Sequence, residues 1–121
     1  MATILIVEDN AANLKLVTLL LERAGHAVLQ AKDGEEGLRL AREAGPDLVL
    51  MDIQMPGIDG LEATRRLRAD PATAGLRILA LTALAMRGDD ERILASGCDG
   101  YIAKPFRYQE LLQQVAAALE R

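Results

Sequence analysis

Short apolar runs alternate along this chain with longer stretches whose apolar residues recur every three or four positions. Ile4-Leu5-Ile6-Val7 is the first run and Ala27-Val28-Leu29 a weaker second. Leu48-Val49-Leu50-Met51, Ile78-Leu79-Ala80-Leu81 and Tyr101-Ile102-Ala103 follow. Continuous apolar runs of this length suit parallel strands covered on both faces. Between the first two, Leu14, Val17, Leu20, Leu21 and Ala24 fall at helical spacing, and Gly25 supplies the stop. Asp33 can cap a second helix, with Glu36 placed as in a capping box, and Gly45-Pro46 closes that unit. Asp59-Gly60-Leu61-Glu62 repeats the device and puts Leu61, Thr64 and Leu67 on the inner face of a third helix. Met86, Ile93 and Leu94 mark a fourth, and Leu111, Leu112, Val115 and Leu119 a fifth.

This alternation predicts an α/β fold, a doubly wound (βα)5 unit with a five-stranded parallel sheet and right-handed crossovers. Residues 1–121 read as one domain, of ordinary domain size. Asp70 to Gly75 reads as a surface loop, and no second domain is expected after the last helix.

Composition narrows the function. Half of the residues are hydrophobic (50%), which suits a globular chain with a core. A net charge of -4 and the absence of a basic stripe argue against direct nucleic-acid binding. The cluster Arg65, Arg66 and Arg68 reads as a solvated helix face. Trp is absent, so ring stacking on a base or flavin has few candidates. Cys98 is the single cysteine; it excludes an intrachain disulfide, fits a reducing compartment and reads as a small buried or half-buried residue. No apolar stretch is long enough for membrane insertion, and no leader-like start is visible, so a cytoplasmic location is expected.

Open α/β sheets place their sites at the carboxyl ends of the strands. Here those ends carry Glu8-Asp9, then Asp52, Thr82 and Lys104-Pro105, while Lys32-Asp33 after the second strand is assigned no chemistry. In the strand order 2-1-3-4-5 the first and third strands are neighbours, so Glu8, Asp9 and Asp52 crowd together. Two carboxylates about 4 Å apart repel by roughly 4 kcal/mol at an effective dielectric near 20, so the cluster needs a cation. A hard divalent ion with oxygen ligands, Mg²⁺, fits best. Lys104 adds a fixed positive charge and Thr82 a hydroxyl. Such surroundings suit phosphoryl transfer, with Asp52 as nucleophile. Each residue alone is more often a turn former, a helix cap or a solvated side chain. The combination carries the reading.

These segments resemble the receiver domains of two-component response regulators, the CheY-like superfamily. The resemblance spans the chain and rests on the stretches Ile4 to Asn10, Pro46 to Gly57, Leu79 to Ala83 and Gly100 to Pro105. The stretch Ala85 to Arg92 with Gly97-Cys98 is similar to the DivK type of single-domain regulator. The resemblance implies that Asp52 is the phosphoacceptor, with Asp9 and Asp52 as direct Mg²⁺ ligands. Glu8 then acts largely through water, and the backbone carbonyl of Gln54 completes the protein ligands. It further implies that Thr82 and Lys104 contact the phosphoryl oxygens and that Tyr101 is an aromatic switch coupled to Thr82. The Lys104-Pro105 bond is expected to be cis. Gln54 and Leu84 stand where the family tunes access of the hydrolytic water, and Leu84 implies slow spontaneous dephosphorylation. The implied donor is a histidine kinase or histidine phosphotransfer protein, docked on the first helix near Asn13, Leu14 and Val17, of which Leu14 and Val17 read equally as core. The downstream partner is another, unidentified protein.

Two other classes share the pattern. A flavin or nucleotide carrier would want a Gly- or Ser/Thr-rich first loop, whereas this one is Glu8-Asp9-Asn10. A Mg²⁺-dependent phosphohydrolase could use Asp52, but the chain has little material for a substrate pocket. A receiver cut from a larger protein is a third possibility.

Overall fold

The computed structural model describes residues 2–82 and 90–120. In chain order they form β1 (Thr3–Val7), α1 (Ala11–Arg23), β2 (Ala27–Ala31), α2 (Gly34–Ala44) and β3 (Leu48–Asp52). Then come α3 (Gly60–Ala69), β4 (Ile78–Thr82), α4 (Asp90–Ala95), β5 (Gly100–Ala103) and α5 (Tyr108–Leu119). All strand pairs are parallel, in the order β2-β1-β3-β4-β5. Fold class and strand order therefore match the sequence reading. Met86 and Leu84 lie outside the described residues.

The two-residue period of a strand explains how the sheet is covered. In β1, Ile4 and Ile6 face one way, with Leu48 and Leu50 of β3, and meet Leu14, Val17 and Leu21 of α1 and Leu111 and Val115 of α5. Leu5 and Val7 face the other way, with Val49 and Met51, and meet Ala41 of α2, Leu61 and Leu67 of α3 and Ile93 of α4. The central strands β3 and β4 are buried throughout, while edge strands β2 and β5 are only partly so. That is why β2 gave the weakest apolar run.

The helix starts follow their caps. The side chains of Asn10, Asp33 and Asp59 accept the backbone N–H of Asn13, Glu36 and Glu62. Glu36 reaches back one residue past the cap and accepts the Lys32 N–H at 2.8 Å, so the reciprocal bond to Asp33 expected of a capping box is replaced by one to its neighbour. Gly45 ends α2 in the left-handed region at φ 55°. One helix position departs from expectation. Leu94 is 48% exposed and so faces solvent. Leu14 and Val17 are buried in the core, as their helical spacing implies.

The arginine cluster also divides. Arg65 and Arg66 are exposed and pair with Glu62 on their own helix. Arg68 is not part of a solvated face: it donates to Gly97, Ala74 and Leu76 carbonyls and to Asp99. Its position at the end of α3, where the helix meets two loops, decides this. Cys98 is buried beside the Thr64 and Ser96 hydroxyls, both at 3.7 Å. Burial pushes its thiol pKa up.

Candidate functional site

Three of the strands deliver the charged cluster through continuity of the ladder. The N–H of Glu8 donates to Ala31 O, and that of Lys104 donates to Thr82 O, so each extends its strand by a residue. Glu8 and Lys104 then stay in step with Ile6 and Ile102, and Asp52 with Leu50. All three point to the α1/α5 face. Thr82 is in step with Ile78 and Ala80 on the opposite face, where Tyr101 packs half-buried. Register pairs Ala80 with Tyr101 and Thr82 with Ala103.

Glu8 is 1% and Asp52 4% exposed, whereas Asp9 is open to solvent. Ligand-capable oxygens of Glu8, Asp9 and Asp52 lie within 4.8 Å of one another. The Lys104 ammonium stands 3.1 Å from Glu8 Oε1 and 3.6 Å from Asp52 Oδ1. The Gln54 N–H donates to Asp52 Oδ1 at 3.2 Å, and Glu8 Oε2 accepts the Asn10 N–H at 3.5 Å. The Lys104-Pro105 bond is cis, as expected.

Burial dominates the ionisation of Asp52, whose pKa rises from 3.8 to about 7. A hydrogen bond and charge repulsion from Glu8 add to the rise, and the Lys104 ammonium and the Gln54 N–H oppose it. Burial also pushes Glu8 upward, but its hydrogen bond with Asp52 and the pull of Lys104 outweigh burial and hold its pKa below the usual value. Near neutrality the two carboxyls therefore divide their roles. Glu8 is the ion-pair partner of Lys104, and Asp52 is the group poised between its two protonation states.

A divalent cation fits this donor set. Three clustered carboxyl groups have one ammonium among them, which reaches Glu8 and Asp52, and a hard dication would compensate the excess negative charge of this all-oxygen set.

Two features escaped the sequence. Gly60 packs directly against the main chain of Asp52: a Cβ there would come within 2.7 Å of Ile53 Cα and 2.9 Å of the Asp52 carbonyl carbon. The Asp59-Gly60 pair was legible only as a helix start. A groove of about 380 Å³ also opens beside the acids, between α1 and the segment after β5. Its walls include Glu8, Lys104, Asn13, Leu16 and Phe106. Leu16, 53% exposed, is its outward apolar residue on α1.

Among known proteins, the chain is 43% identical to the polar-differentiation response regulator DivK of Brucella anthropi over 97% of this chain and 95% of that one. DivK of Brucella ovis is equally similar. The receiver domain of the sensor histidine kinase PA1611 of Pseudomonas aeruginosa, solved with a magnesium ion in its active-site cleft, superimposes with a TM-score of 0.92 at 37% identity, covering 99% of this chain and 98% of that one. The chemotaxis response regulator CheY4 of Vibrio cholerae gives 0.92 at 30% identity, covering 98% of each chain. Residues 4–116 match the response regulator receiver domain family. With strand order, acid cluster and sequence all in agreement, the chain belongs to the receiver domains of two-component response regulators.

Proposed function

We propose that Asp52 takes a phosphoryl group from a phosphohistidine on a histidine kinase or phosphotransfer protein, with Mg²⁺ held by Asp9, Asp52 and the Gln54 carbonyl and Glu8 acting through water. The observation that carries this is the placement of one buried carboxylate, Asp52, between a second acid and a lysine ammonium. An Asp52 oxygen attacks phosphorus as the P–N bond breaks, and the imidazole leaves with the bonding pair and takes up a proton. The bound ion supplies positive charge to the transferring group and favours the ionised acceptor. Lys104 stands ready to face the phosphoryl oxygens, and its pairing with Glu8 keeps it oriented meanwhile. The Gln54 N–H fixes the rotation of the acceptor carboxylate.

The groove beside Glu8 and Lys104 gives the donor its approach, with Asn13 and Leu16 on α1 as the contacts. Of the expected docking residues, Asn13 and Val17 line this groove, and Leu16 joins them. The output is a change of shape, in which the phosphoryl group draws the Thr82 hydroxyl toward it and Tyr101 follows inward. Thr82 and Tyr101 share a sheet face on adjacent strands, which supports that pairing. The module thereby promotes only its own phosphorylation and dephosphorylation, and the recipient is another protein. A cytoplasmic setting fits a cytoplasmic kinase domain as donor; no helix among the described residues is long and apolar enough to cross a membrane.

The test is incubation with acetyl phosphate and Mg²⁺ followed by intact-mass measurement. One labile phosphoryl addition is expected, absent in Asp52→Asn and Asp52→Ala and blocked by chelator. Labelling that survives in both variants would refute the assignment.

A further inference from the structure

The guanidinium of Arg68 sits at the end of the sheet opposite the acid cluster and touches nothing in it. Its Nε donates to Gly97 O at 2.8 Å, in the turn between α4 and β5. Nη1 donates to Ala74 O at 2.8 Å and to Leu76 O, both in the loop before β4. Nη2 meets Asp99 Oδ2 at 3.0 Å, one residue before β5. All three nitrogens are thus used, on four residues from two separate loops. Asp99 is itself tied to the first residue of β4. Its Oδ2 accepts the Ile78 N–H at 2.8 Å, and its own N–H donates to Ile78 O at 2.8 Å. Gly97 leaves the space, since a Cβ there would meet Arg68 Cγ at 2.6 Å. It also holds a φ of 112°, in the left-handed region that favours glycine.

The strand so anchored is the one with least support. β5 has four residues, lies at the sheet edge and pairs only with β4. The side-chain period of a strand is two, so a slip of one residue between β4 and β5 would turn Lys104 away from the acids. The Lys104 ammonium nevertheless stands within ion-pair reach of both Glu8 and Asp52. We propose that Arg68, through Asp99 and Gly97, is a positioning residue for the phosphoacceptor site: it locks the register of β5 on β4 and so fixes where Lys104 stands. The significance of Lys104 here rests on the proposed function, but its placement does not.

The test separates the two. The chain has three lysines, Lys15, Lys32 and Lys104. Lys15 and Lys32 are exposed and serve as internal references when metal-free protein is treated with a limiting amine-acetylating reagent and mapped by peptide mass. In Arg68→Met and Arg68→Lys, acetylation of Lys104 relative to the references should rise at least roughly fivefold, with faster amide hydrogen exchange over Gly100–Ala103. Asp99→Asn keeps an acceptor for Ile78 but loses the ion pair, and should show a smaller rise; it carries the test if the Arg68 variants do not fold. Leu21→Ala, in the core of α1, is the control for lost stability. Unchanged Lys104 reactivity in the folded Arg68 variants, or an equal rise in Leu21→Ala, would overturn the proposal. Absence of acetyl phosphate labelling in the unmutated protein would overturn the proposed function while leaving this result standing.

Discussion

Replacing Asp52 by Asn removes a charge that the folded chain holds at a disadvantage, and the size of the effect follows from its surroundings. The carboxyl ionises near 3.8 when unfolded and near about 7 when folded. The folded state therefore binds that proton more tightly, and over this interval folding loses ground as pH rises. The penalty is small below about pH 4, grows between about 4 and about 7, and is complete above about 7 at about 4 kcal/mol. Asn carries no such proton. With chelator present, Asp52→Asn should therefore stabilise the domain by about 2 kcal/mol at pH 5 and about 4 kcal/mol at pH 8. With a urea slope near about 2 kcal/mol/M, the denaturation midpoint should rise by about 1 M and about 2 M respectively. Glu8 runs the other way. Its lowered pKa contributes stability above its ordinary 4.5 that is lost in acid, outside the window compared. Saturating Mg²⁺ should shrink the advantage at pH 8, because the ion binds only the carboxylate form. A gain independent of pH, or one larger at pH 5 than at pH 8, would refute the burial argument.

Lys104→Ala leaves the buried Glu8 without its cation and should cost about 3 kcal/mol at pH 8 in urea denaturation, and less at pH 5. The same variant should still be labelled by acetyl phosphate, but labelling should no longer change hydrogen exchange around Tyr101; a full response would remove Lys104 from the switch. Gly60→Ala forces a methyl against the main chain of Asp52 and Ile53, and should lose about 3 kcal/mol in thermal or urea unfolding. Its Mg²⁺ affinity by calorimetry should fall as well, and unchanged affinity would show that the loop absorbs the methyl without moving the ligands.

Most of the architecture was legible because strand and helix periods differ and the carboxyl ends of parallel strands lie together. Glu8, Asp52, Thr82 and Lys104 could be placed from those rules alone. Sequence could not tell that Glu8 is nearly sealed while its neighbour Asp9 is open, because alternation along a strand end places side chains but not the loops that cover them. Arg65, Arg66 and Arg68 look alike in a list of residues. Only the tertiary meeting of α3 with two loops makes Arg68 a half-buried fork and leaves the others paired on the surface. Helical spacing separates Leu14 from Leu16, but that Leu16 lines a groove beside the acids depends on the segment after β5, which no period reveals. Gly60 was read for its place at a helix start, since a close approach between backbones leaves no trace in composition.

The ion pair between Glu8 and Lys104 joins residues separated by 96 positions of chain. Nearly the whole polypeptide must be synthesised and wound before those two charges meet. During refolding, pairing of β1 with β3 can gather the acids before β5 brings in the ammonium. Arrival of β5 would then register as the change from an uncompensated acid cluster to one that holds its own lysine.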